Sequence, residues 1–225
     1  DPPHLGHMEA ARAAAALLEL DRVLFIPASI PPHKALPPDT VSAQDRLAMT
    51  AMMADGVCLE LGRPGLAQPD GRELDRAGKS YTADTVTELR RRFPEDELWL
   101  LMGTDMFLTL QSWREPERIM AQAGIAAFAR RESDAGELLD IQGRFLQETY
   151  GARVAIVQLP QIIDLSSTQV RALLRTDHAK AREVLWCQVY GYILRQGLYE
   201  VEADLRHLDD DDLRCASLSM VKAKR

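Results

Sequence analysis

Two histidines near the start of the chain, His4 and His7, are spaced in a way that suits phosphate binding. Gly6 lies between them, at the beginning of an alanine-rich run that predicts a helix over residues 6–20. At this spacing both imidazole rings lie on one face of the first turn, where backbone N–H groups have no partner inside the helix. Gly6 leaves room for a phosphate to approach, and the imidazoles can donate hydrogen bonds to its oxygens.

Two other interpretations of this segment stay open. One histidine can serve only as a helix cap, with the other a surface group. A zinc site is the second alternative, but it needs more ligands, and the sequence shows no third ligand close to His4 and His7.

A second segment suited to phosphate is 166–171, which reads Ser-Ser-Thr-Gln-Val-Arg. Its hydroxyl residues can cap a helix predicted over 167–174, and Arg171 lies one turn inside that helix. Hydroxyl groups, exposed N–H groups and a guanidinium then converge on one place, which suits a polyphosphate. An ordinary cap followed by a surface arginine is the alternative interpretation.

The elements that must position these residues alternate between strands and helices. Continuous apolar runs predict buried parallel strands at 22–27, 98–103, 125–129 and 153–159, with 57–61 as a weaker candidate. Helices are predicted over 6–20, 42–54, 82–93, 116–122, 136–150, 167–174 and 189–196. The alternation predicts an α/β fold with a doubly wound parallel sheet, in which ligands bind at the carboxyl ends of the strands.

Composition narrows the class of protein. The 225 residues carry a formal net charge of −7, which argues against sequence-independent nucleic-acid binding. No apolar run is long enough to cross a bilayer and no secretory leader is visible, so neither a nucleic acid nor a membrane is an expected partner. Cys58, Cys187 and Cys215 show no metal-binding spacing, which fits reduced thiols in the cytoplasm.

The two phosphate-binding segments together resemble a known superfamily. His4-Leu-Gly-His7 is similar to the HxGH signature, and Ser166 to Arg171 to the SSTxIR signature, of the HxGH nucleotidyltransferases. Within this superfamily the chain resembles the bacterial nicotinate-nucleotide adenylyltransferases, over roughly residues 1–200. The further segments that carry this resemblance, in the same order as in the family, are 30–34, 80–85, 103–113 and 192–199.

The resemblance implies a Rossmann-like fold and a reaction. The phosphate of nicotinate mononucleotide attacks the α-phosphate of ATP, pyrophosphate leaves, and deamido-NAD forms. Because no covalent enzyme intermediate is needed, the protein acts by positioning and charge stabilisation. Mg²⁺ is expected to accompany ATP, held by its phosphates and water rather than by protein ligands.

The resemblance also implies residues that act on ATP. We expect His7 to contact the α-phosphate, where negative charge grows in the transition state. Lys34 is expected to bring a cation onto the phosphates, and is otherwise a solvated loop lysine. Arg130 stands where the family carries an arginine near the nucleotide, although the adjacent Arg131 leaves the register open. The ATP-binding assignments are His4, His7, Ser167, Thr168, Arg171 and Arg130, and the catalytic assignments are His7, His4 and Lys34.

A separate set of residues is expected to bind nicotinate mononucleotide. Trp113 can stack on the pyridine ring. Tyr81 and Thr82 precede a helix whose first N–H groups, together with the Thr hydroxyl, can receive the carboxylate. Asp105 either accepts hydrogen bonds from the ribose or caps the helix that follows the strand over 98–103.

The sequence departs from the family pattern in two places. The family begins with a strand and a Gly-Gly-Thr-Phe type of turn before the Asp-Pro, and this chain begins at Asp1. We therefore expect a gap in the sheet beside His4. Because each buried backbone group without a hydrogen bond costs roughly 1–3 kcal/mol, we also expect the chain to fold poorly and to be nearly inactive. Adding back about ten residues is expected to restore both folding and activity. Leu185-Trp186-Cys187 replaces a common Val-Pro pair and is expected to alter packing only.

Residues 201–225 differ in composition from the predicted nucleotidyltransferase domain over 1–200. They contain the acidic run Asp209 to Asp212, typical of a solvated linker, and the last residues faintly resemble the opening of HD-type phosphohydrolase domains. Two alternative functions are kept: another adenylyl- or cytidylyltransferase, for example one acting on pantetheine phosphate, and an inactive fragment that only binds nucleotides.

Overall fold

The computed structural model describes residues 1–30, 40–129, 136–161 and 163–201. The strands within these ranges are β1 (Val23–Phe25), β2 (Ala67–Pro69), β3 (Trp99–Gly103), β4 (Gly124–Phe128) and β5 (Val154–Val157). The helices are α1 (Leu5–Leu17), α2 (Ala43–Glu60), α3 (Thr82–Arg92), α4 (Thr104–Phe107), α5 (Pro116–Gln122), α6 (Glu137–Tyr150), α7 (Ser167–Thr176), α8 (His178–Glu183) and α9 (Cys187–Gln196), with 3₁₀ turns at Leu110–Ser112 and Leu198–Glu200.

All the strand pairs in the described ranges are parallel, which confirms the predicted α/β class. β1 pairs with β2, and β4 lies between β3 and β5 in a second sheet. Among the described strands no pairing joins the two sheets. No described helix is long and apolar enough to cross a membrane.

Helices cover both faces of the sheet formed by β3, β4 and β5. Along β4, Ile125 and Ala127 face a core that also contains residues of α3, α5 and α6. Ala126 points to the opposite face, where it packs with Ala14 of α1 and with Val157 of β5. The alternation of strand side chains therefore fixes α1, whose first turn carries both histidines, against this sheet.

A second core joins the helices that carry the two signature segments. Met8 of α1, Val57 of α2 and Val170 of α7 are each at most 2 % exposed and belong to one apolar cluster, which α9 completes with Ile193. Burial of such a side chain stabilises the fold by about 1.5–3 kcal/mol. The start of α1 and the start of α7 are consequently held on the same side of the molecule.

One predicted strand is wrong. Residues 57–61 were expected as a weak strand, but α2 continues through Glu60. Met49, Met53 and Val57 recur every four residues on the buried face of this helix, and that helical period outweighs the short apolar run. The strand that pairs with β1 is instead β2, which the sequence did not indicate.

Candidate active site

His4 and His7 form a reciprocal cap at the start of α1. The backbone N–H of Gly6 donates to Nδ1 of His4 at 3.2 Å, and the backbone N–H of His4 donates to Nδ1 of His7 at 3.3 Å. The ring centroids are 4.0 Å apart, so both rings lie on the same side of the turn. The expectation of a shared face is therefore confirmed, and both histidines, rather than one alone, take part in the cap.

This cap determines which ring nitrogen of each histidine is left as a donor. A ring nitrogen that accepts a hydrogen bond carries no proton, so the neutral imidazoles of His4 and His7 are protonated at Nε2; this tautomer follows from the hydrogen-bond geometry. Each Nε2–H is then a donor suited to a phosphate oxygen. The cap thus fixes both the tautomer and the orientation of the rings.

Gly6 avoids a close contact with the histidine ring beside it. A Cβ at residue 6 would lie 3.0 Å from both Cε1 and Nδ1 of His4, closer than ordinary van der Waals contact. The glycine therefore makes room for the capping ring, in addition to the room it was expected to leave for phosphate. A cleft lined by His4, Gly6 and His7 continues to Phe128 and Ala129 at the carboxyl end of β4, where parallel sheets bind ligands.

The segment 166–171 is hydrogen-bonded to the residues that precede α1. Ser167 Oγ donates to the carbonyl oxygen of Pro2 at 2.9 Å, and Arg171 Nη1 donates to that of Asp1 at 2.7 Å. Arg171 Nη2 also lies 3.3 Å from Thr168 Oγ1. Side chains expected at the triphosphate are thus brought beside the two histidines, and two of them hold the backbone of the neighbouring turn.

Ser166, rather than Ser167 or Thr168, caps α7. Its Oγ accepts from the backbone N–H of Gln169 at 3.3 Å, while Gln169 Oε1 accepts from the backbone N–H of Ser166 at 2.7 Å. Because Ser166 takes the capping role, the hydroxyl groups of Ser167 and Thr168 lie in the first turn, next to the N–H groups of the helix end.

Tyr199 contacts the same turn, although the sequence had given it no role. Its hydroxyl donates to Asp1 Oδ1 at 2.6 Å, and the side chain is 2 % exposed. The residue has a φ of 60°, an unfavourable conformation for a bulky side chain. A tyrosine in the quoted segment 192–199 was a visible signal, but its partner at the other end of the chain was not.

The backbone after β1 is held by Arg46. Its Nη1 donates to the carbonyl oxygens of Ala28 and, at 3.5 Å, of Ser29. Burial lowers the pKa of Arg46, partly offset by Tyr199. This arginine therefore anchors the segment that leads towards Lys34. Lys34 itself, like Arg130, lies outside the described residues.

Two of the segments expected to bind the acceptor lie next to each other at the start of α3. Tyr81 is the N-cap residue and Thr82 is the first residue of the helix. Trp113 follows the turn Leu110–Ser112, and its Nε1 lies 3.4 Å from Thr109 Oγ1. The guanidinium carbon of Arg114, the next residue, lies 4.4 Å from the centre of the Tyr81 ring. The two acceptor segments therefore meet.

Arg118 connects these two segments, and the sequence had not indicated it. Its Nη2 donates to Asp84 Oδ1 at 2.9 Å and its Nε to Thr87 Oγ1 at 2.9 Å, both on α3. Its Nη1 donates to Glu115 Oε1 at 2.8 Å, immediately before α5. These hydrogen bonds, first that to Glu115 and then that to Asp84, raise the pKa of Arg118.

Asp105 is not a helix cap. Gly103 is the N-cap residue of α4, and Asp105 lies exposed in the first turn of that helix, just beyond the carboxyl end of β3. Thr104 Oγ1 donates to the carbonyl oxygen of Phe128 at 3.3 Å, which ties the ends of β3 and β4 together. The capping alternative is therefore wrong, and ribose binding by Asp105 stays a prediction.

The fold and the paired signature segments define a nucleotidyltransferase class. Residues 1–173 match the family described as cytidylyltransferase-like. Among curated relatives, a probable nicotinate-nucleotide adenylyltransferase of Chromohalobacter salexigens is 35 % identical over 212 residues, 88 % of this chain and 91 % of the relative. A probable nicotinate-nucleotide adenylyltransferase of Thermus thermophilus is 37 % identical over 202 residues, which cover 88 % of this chain and 94 % of the relative. The chain belongs to the family of the nicotinate-nucleotide adenylyltransferases.

Solved structures show the same fold at lower sequence identity. The nicotinic acid mononucleotide adenylyltransferase of Plasmodium falciparum, solved in complex with APC, gives a TM-score of 0.69 at 13 % identity, covering 90 % of this chain and 94 % of that one. The same enzyme in complex with NaAD gives 0.68 at 14 % identity, with the same coverage. At this identity the likeness supports the fold alone.

Proposed function

We propose that the protein transfers the adenylyl group of ATP to nicotinate mononucleotide, giving deamido-NAD and pyrophosphate in NAD biosynthesis. The observation that carries the proposal is the pair of hydrogen bonds from Ser167 and Arg171 to the carbonyl oxygens of Pro2 and Asp1. They bring the two signature segments side by side, with 166–171 against the residues that precede His4. The names of the relatives, which match over nearly their whole length, support the same substrates.

On the ATP side, the triphosphate lies between the start of α1 and the start of α7. His7 Nε2–H donates to the α-phosphate, and Arg171 and the first N–H groups of α7 hold the phosphates that leave as pyrophosphate. Lys34 and Arg130 add positive charge. The acceptor phosphate attacks in line, and the protein fixes the two reactants in that geometry.

Mg²⁺ accompanies ATP in this proposal. The donors at the cleft are imidazole, guanidinium, hydroxyl and backbone N–H groups, which suit phosphate oxygens rather than a bare cation. Among the described residues, no group of three or more His, Cys, Asp or Glu side chains is placed to hold a metal. The ion would be held by the ATP phosphates and water, and would supply positive charge to the leaving pyrophosphate.

On the acceptor side, Trp113 stacks on the pyridine ring of nicotinate mononucleotide. The N–H groups at the start of α3 and the hydroxyl of Thr82 receive the carboxylate beside Tyr81. Asp105, at the end of β3, accepts hydrogen bonds from the ribose. We also place the enzyme in the cytoplasm, a location supported by the reduced thiol of Cys58.

The test is pyrophosphate release by the full-length enzyme, including any residues that precede Asp1. ATP is mixed with Mg²⁺ and one acceptor at a time: nicotinate mononucleotide, pantetheine phosphate, or none. Release that depends on nicotinate mononucleotide supports the proposal. Release with pantetheine phosphate alone would assign the chain to another transferase, and ATP binding without release from any acceptor would leave only a nucleotide-binding protein.

A further inference from the structure

Arg114 places a positive charge where the acceptor carboxylate is expected. Its guanidinium carbon lies 4.4 Å from the centre of the Tyr81 ring, and Tyr81 is the residue that precedes the first turn of α3. The Arg114 side chain is 54 % exposed, so it can reach a ligand that approaches this turn from solvent. Stacking on the aromatic ring restricts the plane of the guanidinium.

The charge of Arg114 is only loosely paired. Its Nε lies 3.6 Å from Glu115 Oε2, beyond hydrogen-bond distance. Both oxygens of Glu115 instead accept from Arg118 Nη1, at 2.8 and 2.9 Å. Within the described part of the chain, no hydrogen bond is recorded for the Arg114 guanidinium. Its N–H groups are therefore available for an anion.

The other nearby arginines are already committed to carboxylates or hydroxyls of the protein. Arg118 donates to Asp84 and Glu115 as described above, and Arg76 donates to Glu88 Oε2 at 2.5 Å and to Thr85 Oγ1 at 2.7 Å. In the described part of the chain, Arg114 is thus the arginine beside Tyr81 that these carboxylates pair least closely. An incoming carboxylate would complete its pairing.

We propose that Arg114 is a specificity-determining residue, whose guanidinium pairs with the pyridine carboxylate of nicotinate mononucleotide. This inference rests on the proposed function and adds a residue to it. A guanidinium presents two parallel N–H donors that match the two oxygens of a carboxylate. The amide of nicotinamide mononucleotide is neutral and turns an NH₂ donor towards these donors, so the pairing is lost.

The test compares kcat/KM for nicotinate and nicotinamide mononucleotides in the full-length enzyme and its variants. Arg114→Gln is expected to lower kcat/KM for nicotinate mononucleotide by at least about tenfold, mainly through KM. The KM for ATP and kcat/KM for nicotinamide mononucleotide are expected to stay unchanged. Arg114→Lys should restore part of the preference, because it keeps the charge without the paired donors.

Arg92→Gln is the matched control, because Arg92 also stacks on an aromatic ring, 5.5 Å from the centre of Phe93, at the far end of α3. It should leave the ratio of the two specificity constants unchanged. An unchanged ratio in Arg114→Gln, or an equal fall for both acceptors, would overturn the inference while leaving the proposed function intact. If the unmodified enzyme does not use nicotinate mononucleotide, the inference and the proposed function are both wrong.

Discussion

Arg171 Nη1 lies 2.7 Å from the carbonyl oxygen of Asp1 and so joins α7 to the turn that precedes α1. The two residues are 170 positions apart in the sequence. The same arginine was expected to bind the triphosphate. This hydrogen bond to Asp1 uses Nη1 of its guanidinium, so the arginine can hold the backbone and still act on phosphate. It holds the backbone that precedes His4, and this places its charge beside the start of α1.

Arg171→Ala is expected to lower kcat/KM for ATP by about a hundredfold, the usual cost of one preorganised donor to a developing charge. Steady-state kinetics with varied ATP measure this. Arg175→Ala is the control, because Arg175 lies one turn later on α7 and pairs with Glu200 in an exposed ion pair at 2.9 Å. Since such pairs contribute little, that variant should keep normal kinetics, and equal losses in both would contradict a specific role for Arg171.

His7→Asn separates the cap from the chemistry. The Asn Oδ1 can accept from the backbone N–H of His4 as Nδ1 does now, but the Nε2 donor is lost. We expect turnover to fall by about a hundredfold, with the melting temperature nearly unchanged. His178→Asn, at the start of α8, is the control. Near-normal turnover in His7→Asn would remove the assigned contact with the α-phosphate.

Arg118→Lys tests the connection between α3 and α5. A lysine cannot reach Asp84, Thr87 and Glu115 together, so Tyr81 and Trp113 should lose their fixed relative position. We expect KM for nicotinate mononucleotide to rise about tenfold, with KM for ATP unchanged. Arg91→Lys, at an exposed position on α3, is the control. A rise in both KM values would indicate a general loss of structure instead.

Asp70 is expected to contribute stability that depends on pH. Burial raises the pKa of Asp70, but hydrogen bonds and charge from Arg72 outweigh burial and hold the pKa below its usual value. One of these bonds joins Arg72 Nη2 to Asp70 Oδ2 at 2.6 Å. Because the pKa is lower in the folded state, the stabilisation is present above the unfolded-state pKa of about 3.9 and is lost as pH falls through the folded-state pKa.

Urea unfolding of Asp70→Asn at several pH values measures this contribution. The free energy of unfolding should fall by roughly 1–3 kcal/mol at pH 7 relative to the unmodified enzyme, and the difference should shrink below about pH 4. Asp55→Asn, on the exposed face of α2, is the control. A difference for Asp70→Asn that does not change with pH would show that the ion pair is not its source.

Helices with local signals were predictable from the sequence, whereas short strands were not. α5 has the expected bounds, 116–122, and Pro116 accounts for its start because proline suits the first helical position. β2 has only three residues, ending in Pro69, and its pairing with β1 depends on contacts from elsewhere in the fold. Nothing in so short a segment distinguishes it from a loop.

At the site, too, local contacts were predictable from the sequence and contacts between distant segments were not. The spacing of His4 and His7 was sufficient to place both rings on one face, because the contact is local. The partners of Arg118 on α3 are more than 30 positions away in the sequence, and the residue has no signature of its own. Its i,i+3 spacing from Glu115 was the visible signal, but that spacing is common on helix surfaces.

The central claim is adenylyl transfer to nicotinate mononucleotide, and product stoichiometry tests it most directly. Deamido-NAD is quantified by chromatography and mass spectrometry, with pyrophosphate measured in the same samples, after the full-length enzyme is mixed with ATP, Mg²⁺ and nicotinate mononucleotide. The account predicts that the two products appear in equal amounts and that neither forms without the acceptor. Pyrophosphate formed without deamido-NAD, or no product while ATP still binds, would contradict it.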